Sequence, residues 1–395
     1  MSALPALARR TGNNSSSAIR DLLTITSQPD IISLAGGLPD PGLIDRDRIA
    51  VAATNALGSL GAVQYTETNG WPGLKAVLAQ RESVLCGRAI APDEIVVTHG
   101  SQQALSLLAQ VLLDPGAVVV VEDPAYTGAL QVFRNAEAQI RALPLDADGM
   151  RVELLAELLR DGVRPTVVHT VSNFHNPGGV TLAPGRRQRL AQLAQQYGFW
   201  VIEDDPYGEI WFDAPAPAPV ATYSDHVIRL SSASKTVAPA LRTGWLAGPS
   251  KVCRAVELLK QSADLCGSAL THQITAEVLT DTDWLAAHLT RVRAAYGERA
   301  KVLCGAIDAT FGDAVHRTDV AGGMFCWVDF CDGTDTTALL AAAVDEGVAF
   351  VPGSAFAVHD DLRNSMRLCF TTGSAPVLEE AVERLARAHA RLHRR

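Results

Sequence analysis

The sequence lacks a long hydrophobic run and any cysteine spacing typical of a metal site. No stretch of its 395 residues approaches the ~18 consecutive apolar residues that a membrane-spanning helix requires. The seven cysteines are odd in number and scattered, with no CxxC pair and no cysteine–histidine ligand spacing. We therefore predict reduced thiols, no metal centre and no membrane partner.

Basic residues are also scarce relative to acidic ones. The chain has 34 Lys and Arg against 43 Asp and Glu, a formal net charge of −9. Nucleic-acid-binding surfaces need a basic face, so this balance argues against a nucleic-acid partner. The first residues, MSALPALARR, contain neither a long apolar run nor a credible cleavage site. A cytoplasmic protein is therefore expected.

What remains is the composition of a large globular protein, with 48% hydrophobic and 19% charged residues. From about residue 45 to about 285, short β-branched runs alternate with longer amphipathic stretches. This rhythm is typical of an α/β domain with a mostly parallel sheet covered by helices on both faces. Beyond about 290, a long helix and a few strands indicate a smaller α+β unit. We predict three parts: an N-terminal arm and helix (1–44), a large domain (45–288) and a small C-terminal domain (289–395).

Individual strands are predicted where apolar runs are bounded by turn residues. In the large domain they are Glu94–Thr98, Ala117–Glu122, Pro165–Ser172, Trp200–Asp205 and His226–Ser232. In the small domain they are Gly323–Asp329, Val348–Val351 and Ser365–Phe370.

The strongest local signal is the segment SSASKTVAPALR at 231–242, which follows a predicted strand. Ligands of open α/β sheets bind beyond the carboxyl ends of strands. The amine of Lys235 can condense with an aldehyde there, and Ser232, Ser234 and Arg242 can hold a phosphate on the same molecule. A surface loop with an incidental lysine and arginine is the alternative.

Two acidic or amide-bearing segments also follow predicted strands. In EDDPY at 203–207, Asp204 can pair with a protonated pyridine nitrogen and Tyr207 can donate to a phenolic oxygen. In SNFHNPGG at 172–179, Asn176 suits a turn that presents its side-chain amide. A helix cap or an ordinary turn is the alternative for each.

A helix start and a tyrosine complete the set. In HGSQQ at 99–103, Gly100 permits close approach, and Ser101 and Gln102 begin a helix whose free amides can bind an anion. Tyr126, in the segment DPAY, can stack on a flat ring, or it is an ordinary half-buried tyrosine.

Taken together, these segments resemble the fold-type I pyridoxal 5'-phosphate (PLP) aminotransferases of class I/II, and within them the 2-aminoadipate/kynurenine aminotransferase-like group. The matching segments run nearly end to end. They include AIRDLL (18–23), ISLAGGLP (32–39), QYTETNG (64–70), GSQQAL (100–105), EDPAY (122–126), EDDPY (203–207), SASK (232–235), GGMF (322–325), VPGSAF (351–356) and RLCF (367–370).

The resemblance implies a role for each matching residue toward the cofactor. Lys235 would carry PLP as a Schiff base, Asp204 would hold its pyridine nitrogen, and Tyr126 would stack on its ring. Tyr207 and Asn176 would bind the phenolic oxygen. The implied phosphate ligands are Ser101, Gln102, Ser232, Ser234 and Arg242, with Tyr65 from the neighbouring subunit of a homodimer that shares its active sites.

The resemblance also implies a substrate site and an activity. Arg367 would clamp the α-carboxylate of the substrate bidentately; a structural ion pair is the alternative. Asn176, Gly37 and Arg20, the last from an N-terminal helix, complete the implied substrate-binding set. The implied activity is exchange of the amino group of an L-amino acid with a 2-oxo acid, with 2-oxoglutarate as the expected acceptor.

Some positions depart from the family pattern and leave other outcomes open. Ser172, His175 and Gly178 replace residues of the usual PxxQNPTG, and His99 replaces the usual asparagine. An enzyme of the same fold that directs the carbanion to β- or γ-elimination, replacement or oxidation is the alternative. Similar domains also form the effector-binding half of some transcription regulators. Those carry an added basic DNA-binding domain, whereas this acidic chain begins almost at the arm.

Overall fold

The computed structural model describes residue 5, residues 30–359 and residues 361–394. Its helices are α1 (Arg46–Leu57), α2 (Pro72–Cys86), α3 (Ser101–Leu112), α4 (Thr127–Asn135), α5 (Val152–Arg160), α6 (Pro184–Tyr197), α7 (Ser250–Ala263), α8 (Ala269–Thr280), α9 (Thr282–Phe311), α10 (Thr336–Asp345) and α11 (Ala375–Leu392). Short 3₁₀ helices span Leu60–Val63, Pro92–Glu94, Val220–Thr222, Pro239–Leu241, Gly312–Ala314 and Gly353–Phe356. Within the described residues, no helix has the length and apolar character needed to cross a bilayer.

The strands form one large sheet and two small ones. They are β1 (Ile32–Ser33), β2 (Ile95–Thr98), β3 (Val118–Asp123), β4 (Gln139–Asp146), β5 (Gly149–Met150), β6 (Val167–Thr170), β7 (Trp200–Asp204), β8 (Val227–Ser232), β9 (Gly244–Ala247), β10 (Val315–Arg317), β11 (Phe325–Phe330), β12 (Val348–Ala349), β13 (Val351–Pro352) and β14 (Ser365–Cys369).

The large sheet has the order β2-β9-β8-β7-β6-β3-β4-β5. The pairs β4–β3, β3–β6, β6–β7 and β7–β8 are parallel, whereas β9 runs antiparallel to both of its neighbours. Central strands are continuous apolar runs such as VVVVED in β3, because helices cover both faces of the sheet. Alternate side chains pack on opposite faces: Val97 lies against α2 and α8, whereas Val96 lies against α3 and α7.

The small sheet has the antiparallel order β10-β11-β14-β13 and packs against α9, α10 and α11. The segment before α1 joins this unit, because Ile32 and Ser33 pair in parallel with Val348 and Ala349. The carbonyl oxygen of Leu34 also accepts a hydrogen bond from the amide of Cys369. This pairing places residues 30–37 across the end of the large sheet where the predicted site residues lie.

The structure confirms the predicted fold class, while the three-part division at residues 44 and 288 stays a prediction. The predicted strands of the large sheet agree with β2, β3, β6, β7 and β8 within about three residues. Strands β4, β5 and β9 of the large sheet were not predicted, and neither were β1 and β10. The predicted strand Val348–Val351 is two strands, β12 and β13, that belong to different sheets and are separated by Phe350. The N-terminal helix expected to carry Arg20 lies outside the described residues.

A buried ionic network fixes strands β8 and β9 of the large sheet to helix α2. Arg229, on β8, donates to Glu82 Oε1 of α2 at 2.5 Å and to Asp205 Oδ2 at 2.7 Å. Trp245 Nε1 also donates to Glu82 Oε1, at 2.7 Å. Because Asp205 directly follows Asp204, the network also fixes the end of β7.

We predict that Arg229→Met lowers the apparent free energy of unfolding by about 3–5 kcal/mol, because it leaves two buried carboxylates without their cation. Urea unfolding followed by fluorescence measures the change. The matched control is Arg254→Met, which removes a surface ion pair with Glu257 in which the arginine is 67% exposed. Its expected cost is under about 1 kcal/mol. Equal unfolding midpoints for the two variants would contradict the prediction.

Candidate active site

A cavity of about 530 Å³ lies at the carboxyl ends of β7 and β8, beside the N-terminus of α3. Twelve of the fourteen residues predicted for the site line it. They are Gly37, Ser101, Gln102, Tyr126, Asn176, Asp204, Tyr207, Ser232, Ser234, Lys235, Arg242 and Arg367. Tyr65 does not line the cavity; it is 77% exposed on this chain. Arg20 lies outside the described residues.

Lys235 occupies the tight loop after β8 and is the lysine that lines the cavity within the described part of the chain. The loop is fixed by backbone hydrogen bonds from Val237 and Ala238 to the carbonyl of Ala233. Lys235 Nζ donates to the carbonyl oxygen of Gly37 at 2.8 Å. Burial, with a contribution from the Arg367 and Arg242 charges, lowers the pKa of Lys235 to about 8. A larger share of this amine is therefore neutral near pH 7 than for a lysine in water.

Asp204 ends β7 and is buried, with 3% exposure. Its Oδ2 lies 3.8 Å from His169 Nε2, and its Oδ1 has no hydrogen-bond partner among the described residues. His169 is itself held on β6 by edge-on packing against Phe133. A buried carboxylate oxygen without a partner is costly. A cationic N–H inside the cavity would satisfy it.

Gly100 opens an anion-binding cradle at the start of α3. It has a φ of +82° and caps the helix without a side-chain hydrogen bond. A Cβ at Gly100 would lie 2.7 Å from Arg242 Nη2, and one at Gly244 would lie 2.6 Å from the amide nitrogen of Ser101. Only glycine at these two positions therefore lets the backbone approach so closely. The helix N-terminus and Arg242 give the cradle a positive potential.

Hydroxyl groups complete the cradle. Ser232 Oγ donates to Ser234 Oγ at 2.8 Å and in turn accepts from the Ser234 amide at 3.1 Å. Arg242 Nη2 donates to the carbonyl oxygen of His99 at 2.9 Å, which fixes the guanidinium beside the helix start. The arrangement suits a phosphate, because it offers hydroxyl, amide and guanidinium donors within one small volume.

Two tyrosines line the same cavity as Lys235 and Asp204. Tyr126 Oη donates to Gln102 Oε1 at 2.9 Å, and Gln102 Nε2 donates to the carbonyl of Gly128. The Gln102 side chain therefore orients Tyr126. Burial, followed by the Asp204 charge, raises the pKa of Tyr126 to about 12. Burial also raises the pKa of Tyr207, so both phenols keep their protons and act as donors near neutral pH.

Arg367, on β14, brings a buried cation to the other side of the cavity. Its Nη1 donates to Asn176 Oδ1 at 2.7 Å and its Nη2 donates to the carbonyl of Ala35 at 2.6 Å. Its Nε is buried without a partner, and it forms no ion pair with a carboxylate of the described residues. Burial lowers the pKa of Arg367 to about 10. A carboxylate from outside the protein would neutralise this charge and pair with the guanidinium.

The turn that departs from the family pattern lies behind the cavity. His175 is 1% exposed; its Nδ1 accepts from the amide of Gly178 at 2.9 Å, and its Nε2 lies 3.0 Å from Glu122 Oε2. A Cβ at Gly178 would lie 3.1 Å from His175 Nδ1. The replacements at 175 and 178 therefore compensate for each other. The His175 imidazole fits beside position 178 because glycine has no side chain there. His175 supports the turn that carries Asn176 and does not line the cavity.

The two remaining departures also act behind the cavity. Ser172 Oγ donates to Glu203 Oε1 at 2.9 Å. The ring of His99 turns away from the cradle, with its Nδ1 2.9 Å from Asp264 Oδ2. The His99 carbonyl, by contrast, contacts a residue of the cradle, Arg242.

Sequence reasoning missed one prominent residue of the site, Phe325. Its ring lies 4.2 Å from the Arg367 guanidinium carbon, and a Cβ at Gly37 would approach its Cζ to 2.8 Å. The Phe325 ring therefore lies between the Arg367 guanidinium and the chain segment that contains Gly37. Phe325 lies in the GGMF segment quoted above. Its contact with Arg367 depends on the pairing of β11 with β14, and such a pairing leaves no local signal in the sequence.

The cavity fits PLP on observations that are independent of one another. It presents a buried acceptor for a ring N–H at Asp204, an amine at Lys235, phenol donors at Tyr126 and Tyr207, and a cradle that only glycines 100 and 244 permit.

Comparison with known proteins points the same way. Residues 30–385 match the family described as "Aminotransferase class I and II". "Aromatic-amino-acid aminotransferase 1" of Thermococcus litoralis is 38% identical over 378 residues, which cover 94% of this chain and 90% of that protein.

Two solved structures superpose on nearly the whole chain. Pyrococcus horikoshii kynurenine aminotransferase, crystallised "in complex with PMP, KYN as substrates and KYA as products", has a TM-score of 0.92 and 37% identity, and covers 98% of this chain and 97% of its own. The α-aminoadipate aminotransferase LysN of Thermus thermophilus, complexed with N-(5'-phosphopyridoxyl)-L-leucine, has a TM-score of 0.90 and 33% identity, and covers 98% of each chain. The chain therefore belongs to the class I and II aminotransferases of PLP fold type I, in the 2-aminoadipate/kynurenine-like group, and is a PLP-dependent transferase.

Proposed function

We propose that this enzyme exchanges the amino group of an L-amino acid with a 2-oxo acid, with 2-oxoglutarate as the acceptor, and that Lys235 Nζ forms the covalent bond to the cofactor's aldehyde carbon. One observation carries the proposal. The cavity lysine, whose burial lowers its pKa to about 8, shares one cavity with two other groups. They are an Asp204 oxygen that has no hydrogen-bond partner among the described residues and the Arg367 guanidinium, which forms no ion pair with any of those residues.

When bound, PLP supplies an electron sink for the charge that develops on the substrate Cα. Asp204 would keep a proton on the ring nitrogen, because a buried carboxylate favours a cationic partner over a neutral one. Tyr207 and the Asn176 amide would donate toward the ring oxygen. Tyr126, whose phenol is held by Gln102, would cover one face of the ring. The cradle of Ser101, Ser232, Ser234 and Arg242 would bind the phosphate.

Arg367 binds the substrate α-carboxylate and thereby orients the Cα–H bond. Two of its N–H groups are already donated to Asn176 and Ala35, so the guanidinium plane is fixed before substrate arrives. The rings of Phe325 and Phe356 lie 4.2 and 4.9 Å from the guanidinium carbon and exclude water from the pair. Because the cation has no counter-ion among the described residues, little ionic interaction is lost when the carboxylate enters.

Lys235 Nζ would take up and hold the proton of the substrate Cα as the general base of the site. A general base works best when its pKa lies near the operating pH, and burial brings the pKa of this amine to about 8. The hydrogen bond to Gly37 O holds Nζ toward the N-terminal segment, on the Arg367 side of the cavity.

The site is completed in this proposal by a second copy of the chain. Tyr65 is 77% exposed and follows a 3₁₀ turn in which Leu60 and Val63 are 91% and 72% exposed. Such a run of exposed apolar side chains marks an interface. In a homodimer, Tyr65 would reach the phosphate in the partner's cavity.

The relatives' names direct the choice of donors to test. They mention aromatic amino acids, kynurenine and 2-aminoadipate, and these should be offered to the enzyme first with 2-oxoglutarate. Transamination gives one glutamate for each donor consumed. Release of ammonia or peroxide without an acceptor would instead support the elimination or oxidation outcome.

Lys235→Ala should abolish the covalent link and reduce turnover by about 10²–10⁴-fold or more, since the variant loses the amine that moves the proton. Borohydride reduction of the holoenzyme, followed by peptide mapping, locates the link directly. The matched control is Lys251→Ala, an exposed lysine at the start of α7, which should keep both the link and the rate. An adduct on any other lysine would remove Lys235 from its role.

Asp204→Asn should lower turnover by about 10²–10³-fold, because the neutral amide no longer holds the ring nitrogen protonated. Cofactor affinity should fall as well, and both are measured by absorbance titration and initial rates. Asp213→Asn, which changes an exposed carboxylate, is the control. An Asp204→Asn enzyme with native rates would disprove the assignment.

Mixing two defective variants tests whether subunits share sites. Tyr65→Ala and Lys235→Ala chains should each be impaired when measured at limiting cofactor. A mixed dimer carries one cavity with Lys235 from one chain and Tyr65 from the other, and this cavity is intact. Random exchange of subunits should therefore restore about a quarter of the native activity. No recovery, in a mixture shown by mass spectrometry to contain mixed dimers, would exclude shared sites.

A further inference from the structure

A cluster of histidine and aspartate side chains lies on the small unit, and none of its members lines the cavity. His389 and His393 lie four residues apart at the end of α11 and so share one face of the helix. Asp332 and Thr334 approach the same point from the loop between β11 and α10. The scattered cysteines predicted no metal centre, but this cluster contains no cysteine.

The distances within the cluster are those of a coordination shell. His389 Nε2 and His393 Nε2 lie 3.1 Å apart, and each lies 3.4 Å from Asp332 Oδ2. Ligand atoms at 2.0–2.1 Å from a tetrahedral zinc ion are separated by about 3.3–3.4 Å. The three atoms therefore form one face of a tetrahedron of nearly the right size.

The hydroxyl of Thr334 also lies beside the two histidine rings, and it donates its proton to Asp332. Its Oγ1 donates to Asp332 Oδ1 at 2.6 Å and lies 3.1 Å from His389 Nε2 and 2.9 Å from His393 Nε2. Its lone pairs thus face the two imidazoles. The same hydrogen bond fixes the rotation of the Asp332 carboxylate, as outer partners of metal ligands commonly do.

Aromatic packing holds the first histidine in place. The His389 ring stacks on Phe330, with ring centres 4.9 Å apart and planes 13° apart, and meets the edge of Phe311 at 5.8 Å. Phe330 ends β11 and Phe311 ends α9, so three elements position one imidazole. His393 and Asp332 are 48% and 41% exposed, which leaves an entry path and room for a water ligand.

We propose that His389, His393 and Asp332 form a binding site for a divalent cation of the zinc type, with water or Thr334 Oγ1 as the fourth ligand. Imidazole and carboxylate ligands in tetrahedral array favour Zn²⁺ over Mg²⁺ or Ca²⁺. The ion joins the end of α11 to the loop after β11 and stabilises the small unit. The site is independent of the transamination proposed above.

Zinc titration of the untagged, chelator-treated holoenzyme tests the site, with a chromophoric chelator as competitor. We expect one equivalent of Zn²⁺ bound per chain and a rise in the unfolding temperature on binding. Co²⁺ in place of Zn²⁺ should give the intense visible bands of a tetrahedral ion. The variants His393→Ala and Asp332→Asn should each weaken binding by at least about tenfold and lose the thermal shift.

Two control variants separate this site from adventitious binding. His316→Ala removes an exposed histidine on β10, and Cys331→Ser removes the exposed thiol next to Asp332; both should bind Zn²⁺ as the native protein does. All variants should keep native cofactor absorbance and circular dichroism. Uptake that is unchanged in the His393→Ala, Asp332→Asn double variant, or uptake that is lost only with Cys331, overturns the proposal. So does a native protein that takes up no zinc.

Discussion

Two buried charges without ionic partners of their own determine the chemistry of the cavity. Asp204 presents a carboxylate oxygen that nothing in the described part of the chain satisfies, and Arg367 presents a guanidinium with no carboxylate of those residues beside it. Leaving either in this state costs free energy, since desolvation is compensated only by a partner. A cofactor with a cationic ring nitrogen and a substrate with a carboxylate would supply the two missing partners. The charges of the site would then be completed by binding.

The rest of β7 shows how the fold isolates that one carboxylate. Glu203, Asp204 and Asp205 are consecutive acids, and strand alternation turns the middle one to the opposite side. Glu203 accepts from Ser172 and from the amides of Val220 and Ala221. Asp205 pairs with Arg229 and accepts from the Gly208 amide. Glu203 and Asp205 thus stabilise the sheet and its loops through these contacts. Of the three carboxylates, Asp204 is the one that can bind a ligand.

Sequence reasoning captured the features that leave a local pattern. Strand ends, a lysine after Ser-Ala-Ser and a glycine before a helix start are all readable along the chain, and the cavity brings together the residues that those signals named. It failed where the information is non-local. The Gln102 side chain contacts Tyr126, a residue 24 positions away, and no local pattern in the sequence marks that contact. The wall at Phe325 and the break at Phe350 likewise depend on which strands become neighbours, which composition and spacing do not encode.

The departures from the family pattern illustrate the same point about non-local information. Read along the chain, His175 and Gly178 suggest an altered active site, and they motivated an alternative reaction. In three dimensions they compensate for each other behind the turn, where the imidazole lies against Glu122 and fills the volume beside a glycine. Asn176 is still presented to Arg367, so the turn offers no new group to the carbanion. Leu38 and Phe325 line the cavity, and Lys235 contacts the segment 30–37 through Gly37. That segment also pairs with β12 of the small unit, so any movement of the small unit would carry this wall of the cavity with it.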